Sequence, residues 1–241
     1  MRDEPVPAGP SHFPPTRWTL IASARNDPQA RRAALEELLG LYWKPLYCFA
    51  RRKGLDPEAA QDAVQGLLAH LLERDFLARL DPGRGRFRSY LRTAMSHYLI
   101  NEHERAAAQK RGGDVHTITL DFDVAERGLD GAPAAAEQAF ERTWAVGVMA
   151  RALARLRDEF DAGQRRGPFE LVAAFFGAGA EPPSYADAAA AHGMSVPQLK
   201  AFLHRARVRY RELLRAEVGQ TVADPAEVDD EIRALLQALG T

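Results

Sequence analysis

Residues 195–209 bring together side chains that can hydrogen-bond a base edge and side chains that can neutralise a phosphate. Gln198, His204 and Arg205 lie with Pro197, Ala201 and Val208 on one face of a helix, the face a major groove could meet. Ser195, Lys200, Arg207 and Arg209 flank it with a hydroxyl and three cations suited to the phosphate backbone, and Arg211 continues them. The other face is an apolar stripe of Val196, Leu199, Leu203, Ala206 and Tyr210. Such a helix either reads DNA or packs on a core with a solvated outer side, and the segment alone leaves both open.

Two helices and a turn must hold this face in place. Ser184 with Asp187 and Ser195 with Gln198 have capping-box spacing, which sets two helix starts. Gly193 supplies the sharp turn between them, in the order of a helix-turn-helix. Upstream, a short helix is predicted over Thr16 to Arg25. Asp27-Pro28 opens a long one, with Leu35, Leu38, Leu39, Tyr42, Leu46 and Phe49 apolar towards Gly54. Pro45 should kink or split it. Asp56-Pro57 opens a helix to about Arg74 with Val64, Leu67, Leu68, Leu71 and Leu72 inward. Another runs from Phe87 to about Lys110, burying Phe87, Leu91, Ala94, Met95, Tyr98 and Leu99. Periodicity resumes from about Ala134 to Phe160 and over 168–177. Asp224-Pro225 then caps a last helix with Ile232, Leu235, Leu236 and Leu239 apolar. No strand alternation survives, so the predicted class is all-α.

The 241 residues suffice for one large or two small domains, with a globular composition of 46% hydrophobic and 27% charged residues. A net charge of −1 excludes a uniformly basic coat, yet the charges are segregated. Residues 84–111 hold seven cations against two acids, net +5; residues 198–215 hold six against one, also +5. Residues 112–141 hold seven acids against one arginine, net −6, and residues 217–241 hold six against one, net −5. Two separated basic blocks imply two local phosphate contacts. The acidic tail is expected to fold near the helix 198–215 and to temper its DNA binding, so that deleting it would tighten that binding.

Cys48 is the single cysteine, within Leu46-Tyr47-Cys48-Phe49; it excludes an intrachain disulfide and is expected to be a buried thiol in a reducing compartment. The N-terminus lacks the apolar core of a signal peptide, and no stretch reaches the ~20 apolar residues of a membrane span, so a cytoplasmic protein without membrane contact is expected. Enzyme signatures fail on inspection. Asp81-Pro-Gly-Arg-Gly-Arg has no Gly-Lys-Ser/Thr after it and no strand before it. His97 and His103 do not share a helical face, and Asp121-Phe-Asp123 lacks the other ligands of a calcium loop. No catalytic residue, metal or cofactor is predicted.

Four motifs in order resemble a known family. They are Leu41-Tyr-Trp-Lys-Pro-Leu-Tyr-Cys-Phe-Ala-Arg51, Ala60-Gln61-Asp62-Ala63-Val64-Gln65, Gly85-Arg86-Phe87-Arg88-Ser89-Tyr90-Leu91 and the helix-turn-helix from Ser184 to Arg207. Together, over about 16–111 and 139–215, the chain resembles bacterial sigma factors of the extracytoplasmic-function (ECF) type. The resemblance implies two helical domains: a sigma region 2-like bundle over 16–111 and a region 4-like helix-turn-helix domain over 139–218. An acidic linker (112–138) would join them, with a mobile arm (1–15) before and an acidic helical extension (219–241) after.

The same resemblance implies partners and roles. Glu58, Gln61, Asp62 and Gln65, a polar stripe at i, i+3, i+4 and i+7, would dock on the β′ clamp of the RNA polymerase core. Arg86, Arg88, Tyr90, Arg92, His97, Asn101, Arg105, Lys110 and Arg111 would contact the −10 region of promoter DNA. Arg88 and Arg92 would hold phosphates, and Tyr90 would stack on an extruded base. Ser195, Gln198, Lys200, Ala201, His204, Arg205, Arg207 and Arg209 would meet the −35 region. An anti-sigma factor or other regulator stays open. Four positions depart from the family pattern: Gln61 stands where Glu is common, His97 and Asn101 where Asn and Asp are, and Phe202 where Arg is. A helix-turn-helix repressor or activator with a sensor or dimerisation domain is the competing reading.

Overall fold

A computed structural model of the chain describes residues 28–73, 86–108, 120–127, 129, 135–163, 167–176, 181–222 and 224–240. The described residues are all-α: no strand occurs among them, and none of their helices is long and apolar enough to cross a membrane. The arm 1–15, the short helix expected over 16–25 and the loop 81–85 lie outside the described residues.

The first helices are α1 (Pro28–Leu39), α2 (Trp43–Arg52), α3 (Pro57–Glu73) and α4 (Phe87–Ala108). The predicted long helix does break, but at Gly40-Leu41-Tyr42 and not at Pro45. Pro45 falls in the first turn of α2, where its missing N–H removes no intrahelical bond. Asp56 Oδ1 accepts the Ala59 N–H at 2.8 Å, a side-chain cap for α3. Within the stretch expected to be a linker, Phe122–Arg127 form a short helix, α5. Phe122 packs edge-on against Trp43 and tilted against Tyr47, each 5.3 Å between centroids. Arg51 forks onto Glu126 at 2.7 and 3.0 Å, and Tyr47 Oη donates to the same carboxylate.

Then come α6 (Ala136–Asp161), α7 (Phe169–Phe176), α8 (Tyr185–Ala191), α9 (Val196–Gly219), a single 3-10 turn (Pro225–Glu227) and α10 (Val228–Leu239). Two apolar cores result. The first gathers α1 to α5 with Phe140, Trp144, Ala145 and Val148 of α6, and also takes Val218, Val222, Val228 and Leu235 from the end of the chain. The second lies between Ala152 and Leu156 of α6, Leu171 and Val172 of α7, Ala188 and Ala189 of α8, and Leu199, Leu203, Ala206 and Leu213 of α9. Helix α6 therefore runs through both cores, its first half against α2 and its second half against α9. The acidic tail is not an appendage. Leu235 is fully buried, and α10 lies along α6.

Candidate nucleic-acid interface

Local chemistry sets the helix-turn-helix. Ser184 Oγ accepts the Asp187 N–H at 3.1 Å. At the start of α9 both arms of a capping box form: Gln198 N–H to Ser195 Oγ at 3.4 Å, and Ser195 N–H to Gln198 Oε1 at 2.7 Å. Between the helices Gly193 has φ +62°, the left-handed conformation the sharp turn needs. With Leu199, Leu203 and Ala206 buried, the opposite residues Pro197, Gln198, Ala201, His204, Arg205 and Val208 are all exposed. The capping box occupies the Gln198 carbonyl and leaves its amide nitrogen to donate to a partner.

The flanking cations divide. Lys200 sits 5.4 Å over the Tyr185 ring, which stacks on Phe175 at 5.0 Å. Arg207 lies over Phe176 at 5.6 Å. Both side chains lie beside the exposed face. Arg209, partly exposed, is instead paired with Glu159 at 2.6–3.0 Å and with Glu212 at 2.6 Å; the Glu159 hydrogen bonds hold its pKa above the ordinary arginine value. Phe202, at a position where the resemblance leads one to look for Arg, turns into the second core. It meets Phe160 edge-on at 6.0 Å and lies against Gly167.

Helix α4 presents Tyr90, Thr93, His97, Ile100 and Asn101 on its exposed side. Tyr90 stacks on Phe87, which is itself buried against Tyr42. The basic residues at its start are arranged differently. Arg88 is only 5% exposed and lies 4.3 Å over the Trp144 ring. It pairs with Glu231 of α10 and, at 2.8 Å, with Glu141 of α6. Arg86 reaches Glu231 at 3.0 Å, and Arg92 reaches Glu141 at 3.0 Å. Burial raises the Glu231 carboxyl above its ordinary value, and the Arg88 and Arg86 guanidiniums offset only part of that rise. Arg105 lies in the last turns of α4, while Lys110 and Arg111 fall outside the described residues.

On α3, Glu58 and Asp62 are exposed and Gln61 and Gln65 half-exposed, so the stripe faces outward as one surface. Cys48 is buried, and that burial raises its thiol pKa, the opposite of what a nucleophile needs. Among the described residues no group of His, Cys, Asp and Glu could hold a metal.

Sequence reasoning missed Glu141 and Glu231. No signal in the chain pairs an acid with an arginine 143 residues away. It also missed Glu126, whose role follows only from where α5 lands.

The family model described as "ECF sigma factor" matches residues 23–215, most of the chain and all of the segments described above except the tail. No curated protein and no solved structure matches the chain significantly. Sigma factors are regulatory DNA-binding proteins of transcription initiation, and the family implies the RNA polymerase core and promoter DNA as partners. The chain belongs to the ECF sigma factor family.

Proposed function

We propose that the chain directs promoter recognition in two places, opening the −10 region through α4 and anchoring at −35 through α8 and α9. Residues 16–111 would act as the melting unit and residues 139–218 as the anchor. The α3 stripe of Glu58, Gln61, Asp62 and Gln65 would dock on the polymerase β′ clamp. This reading rests on α9, which buries its apolar stripe and leaves Gln198, Ala201, His204 and Arg205 exposed behind a fully formed capping box. Arg205 and the Gln198 amide are the base-reading groups; Lys200 and Arg207 hold phosphates. On α4, Tyr90 offers a ring for an unstacked base, with His97 and Asn101 about two and three turns further along the same side. The chemistry is the polymerase's; this protein supplies binding and positioning.

Pull-down with polymerase core, followed by transcription from a promoter library, tests the reading. Core-dependent, salt-sensitive initiation from a shared promoter motif is expected. R205A should lose about tenfold or more at promoters with the −35 motif, in line with the ~1–3 kcal/mol of a bidentate base contact. Tight operator binding by the chain alone, with no effect on reconstituted transcription, refutes it.

A further inference from the structure

The uncharged side of α4 and its charged start are treated oppositely by the rest of the molecule. Tyr90, Thr93, His97 and Asn101 stand exposed, whereas Arg86, Arg88 and Arg92 are each paired with a carboxylate from another helix. Glu231 is the centre of that arrangement. It is 1% exposed, meets both Arg86 and Arg88, and is carried by α10, which Val228 and Leu235 pin into the first core. The tail also touches α9, through Asp229 and Arg215, but that pair is exposed at the surface. The buried acid is therefore aimed at α4 and not at the helix 196–219.

We propose that α10 is an intramolecular strap: Glu231 occupies the position at Arg86 and Arg88 that a promoter phosphate takes, so the free chain exposes its base-facing side while its phosphate contacts are closed. This rests on the −10 reading of α4 given above. Charge makes the closure effective. Three guanidiniums face Glu141 and Glu231, net +1, and withdrawing Glu231 alone raises this to +2. Because the Arg88–Glu231 pair is buried, dissolved salt screens it little, and counterions do not compete it away. The polymerase dock is outside the closure, since Glu58 and Asp62 are exposed on α3. Core can therefore bind first, and opening follows if core and promoter favour the unstrapped state.

The test uses the full chain in three forms: wild type, E231Q and D229N. The last removes the same charge from the same helix, but from the Arg215 contact. Each is titrated with single-stranded DNA of random sequence over a range of salt. E231Q is expected to bind about fivefold tighter at low salt, with the slope of log K against log salt steeper by about 0.7, one extra cation engaged. D229N is expected to match wild type within about twofold. Equal gains in both variants, or none in E231Q, overturn the strap. Should E231Q lose its helical circular dichroism, hydrogen exchange on wild type decides. Amides of 228–239 must lose protection when core and promoter DNA are added, and unchanged protection overturns the proposal. Failure of polymerase-dependent transcription would sink the promoter reading alone, because the DNA titration is made on the free chain.

Discussion

Phe202 illustrates how one residue can leave the functional surface. Its ring fills the space beside Gly167, whose φ of +109° and lack of a Cβ make room for it, and it closes the second core with Phe160. Removing it should cost about 3–5 kcal/mol, as for other buried aromatics. F202R, which restores the side chain expected from the resemblance, should cost at least as much, because it buries a cation without a partner. Urea unfolding followed by circular dichroism measures both; an F202R variant as stable as wild type would show that this site tolerates the family residue. Glu126 gives a pH-dependent case. Its hydrogen bond from Arg51 holds the carboxyl below the usual range, while burial, with the Glu126 bond second, pushes the Tyr47 hydroxyl up to about 12. A depressed carboxyl adds stability that is complete above its unfolded value and is lost as the pH falls through its folded value. Wild type should therefore lose melting temperature below about pH 4.5, and E126Q should show a shallower acid limb. Because the side chain is partly exposed, E126Q should lower the melting temperature at neutral pH by only about 1–3 °C. Parallel acid limbs would mean that the pair adds nothing.

At the scale of single elements, starts were more legible than breaks. Ser184, Ser195 and Asp56 each cap the helix whose start their spacing predicted, since capping depends on residues three apart. The break after α1 was misplaced because Pro45 is a visible breaker, whereas the Gly40 turn depends on how Tyr42 is buried between helices. Helix α5 was hidden for the same reason. Six residues of mixed polarity have no periodicity to read, and only the ring contacts of Phe122 and the Glu126 fork hold them in place. The capping box carries the prediction proper to this scale. S195A removes the hydroxyl that accepts the Gln198 N–H, one arm of the box, and leaves the other arm, Ser195 N–H to Gln198 Oε1, in place. It should cost about 1 kcal/mol of stability and loosen the first turn that presents Gln198 and Ala201. Chemical denaturation together with −35 DNA binding checks this; unchanged values for both would show the cap to be dispensable.

Over the whole molecule, α6 lends residues to both cores. Trp43 and Trp144 lie in the first core and Leu156 in the second, on the same helix as Trp144. L156A should remove about 2–5 kcal/mol and shift the unfolding seen by tryptophan fluorescence along with that seen by circular dichroism. A fluorescence transition left in place would show that the cores melt independently. The candidate surfaces follow the same division between local and distant causes. By itself, the sequence determined the helical class, the helix starts marked by capping residues, the exposed face of α9 and the polar stripe of α3. Periodicity and capping act over one helical turn, so they are written in neighbouring residues. Tertiary structure decided that Phe202 packs inward, that Arg209 is spent on Glu159, and that Arg86 and Arg88 meet Glu231. Those outcomes depend on which distant acid or ring arrives beside a residue and on how much water it displaces, and neither is encoded within any one turn of helix.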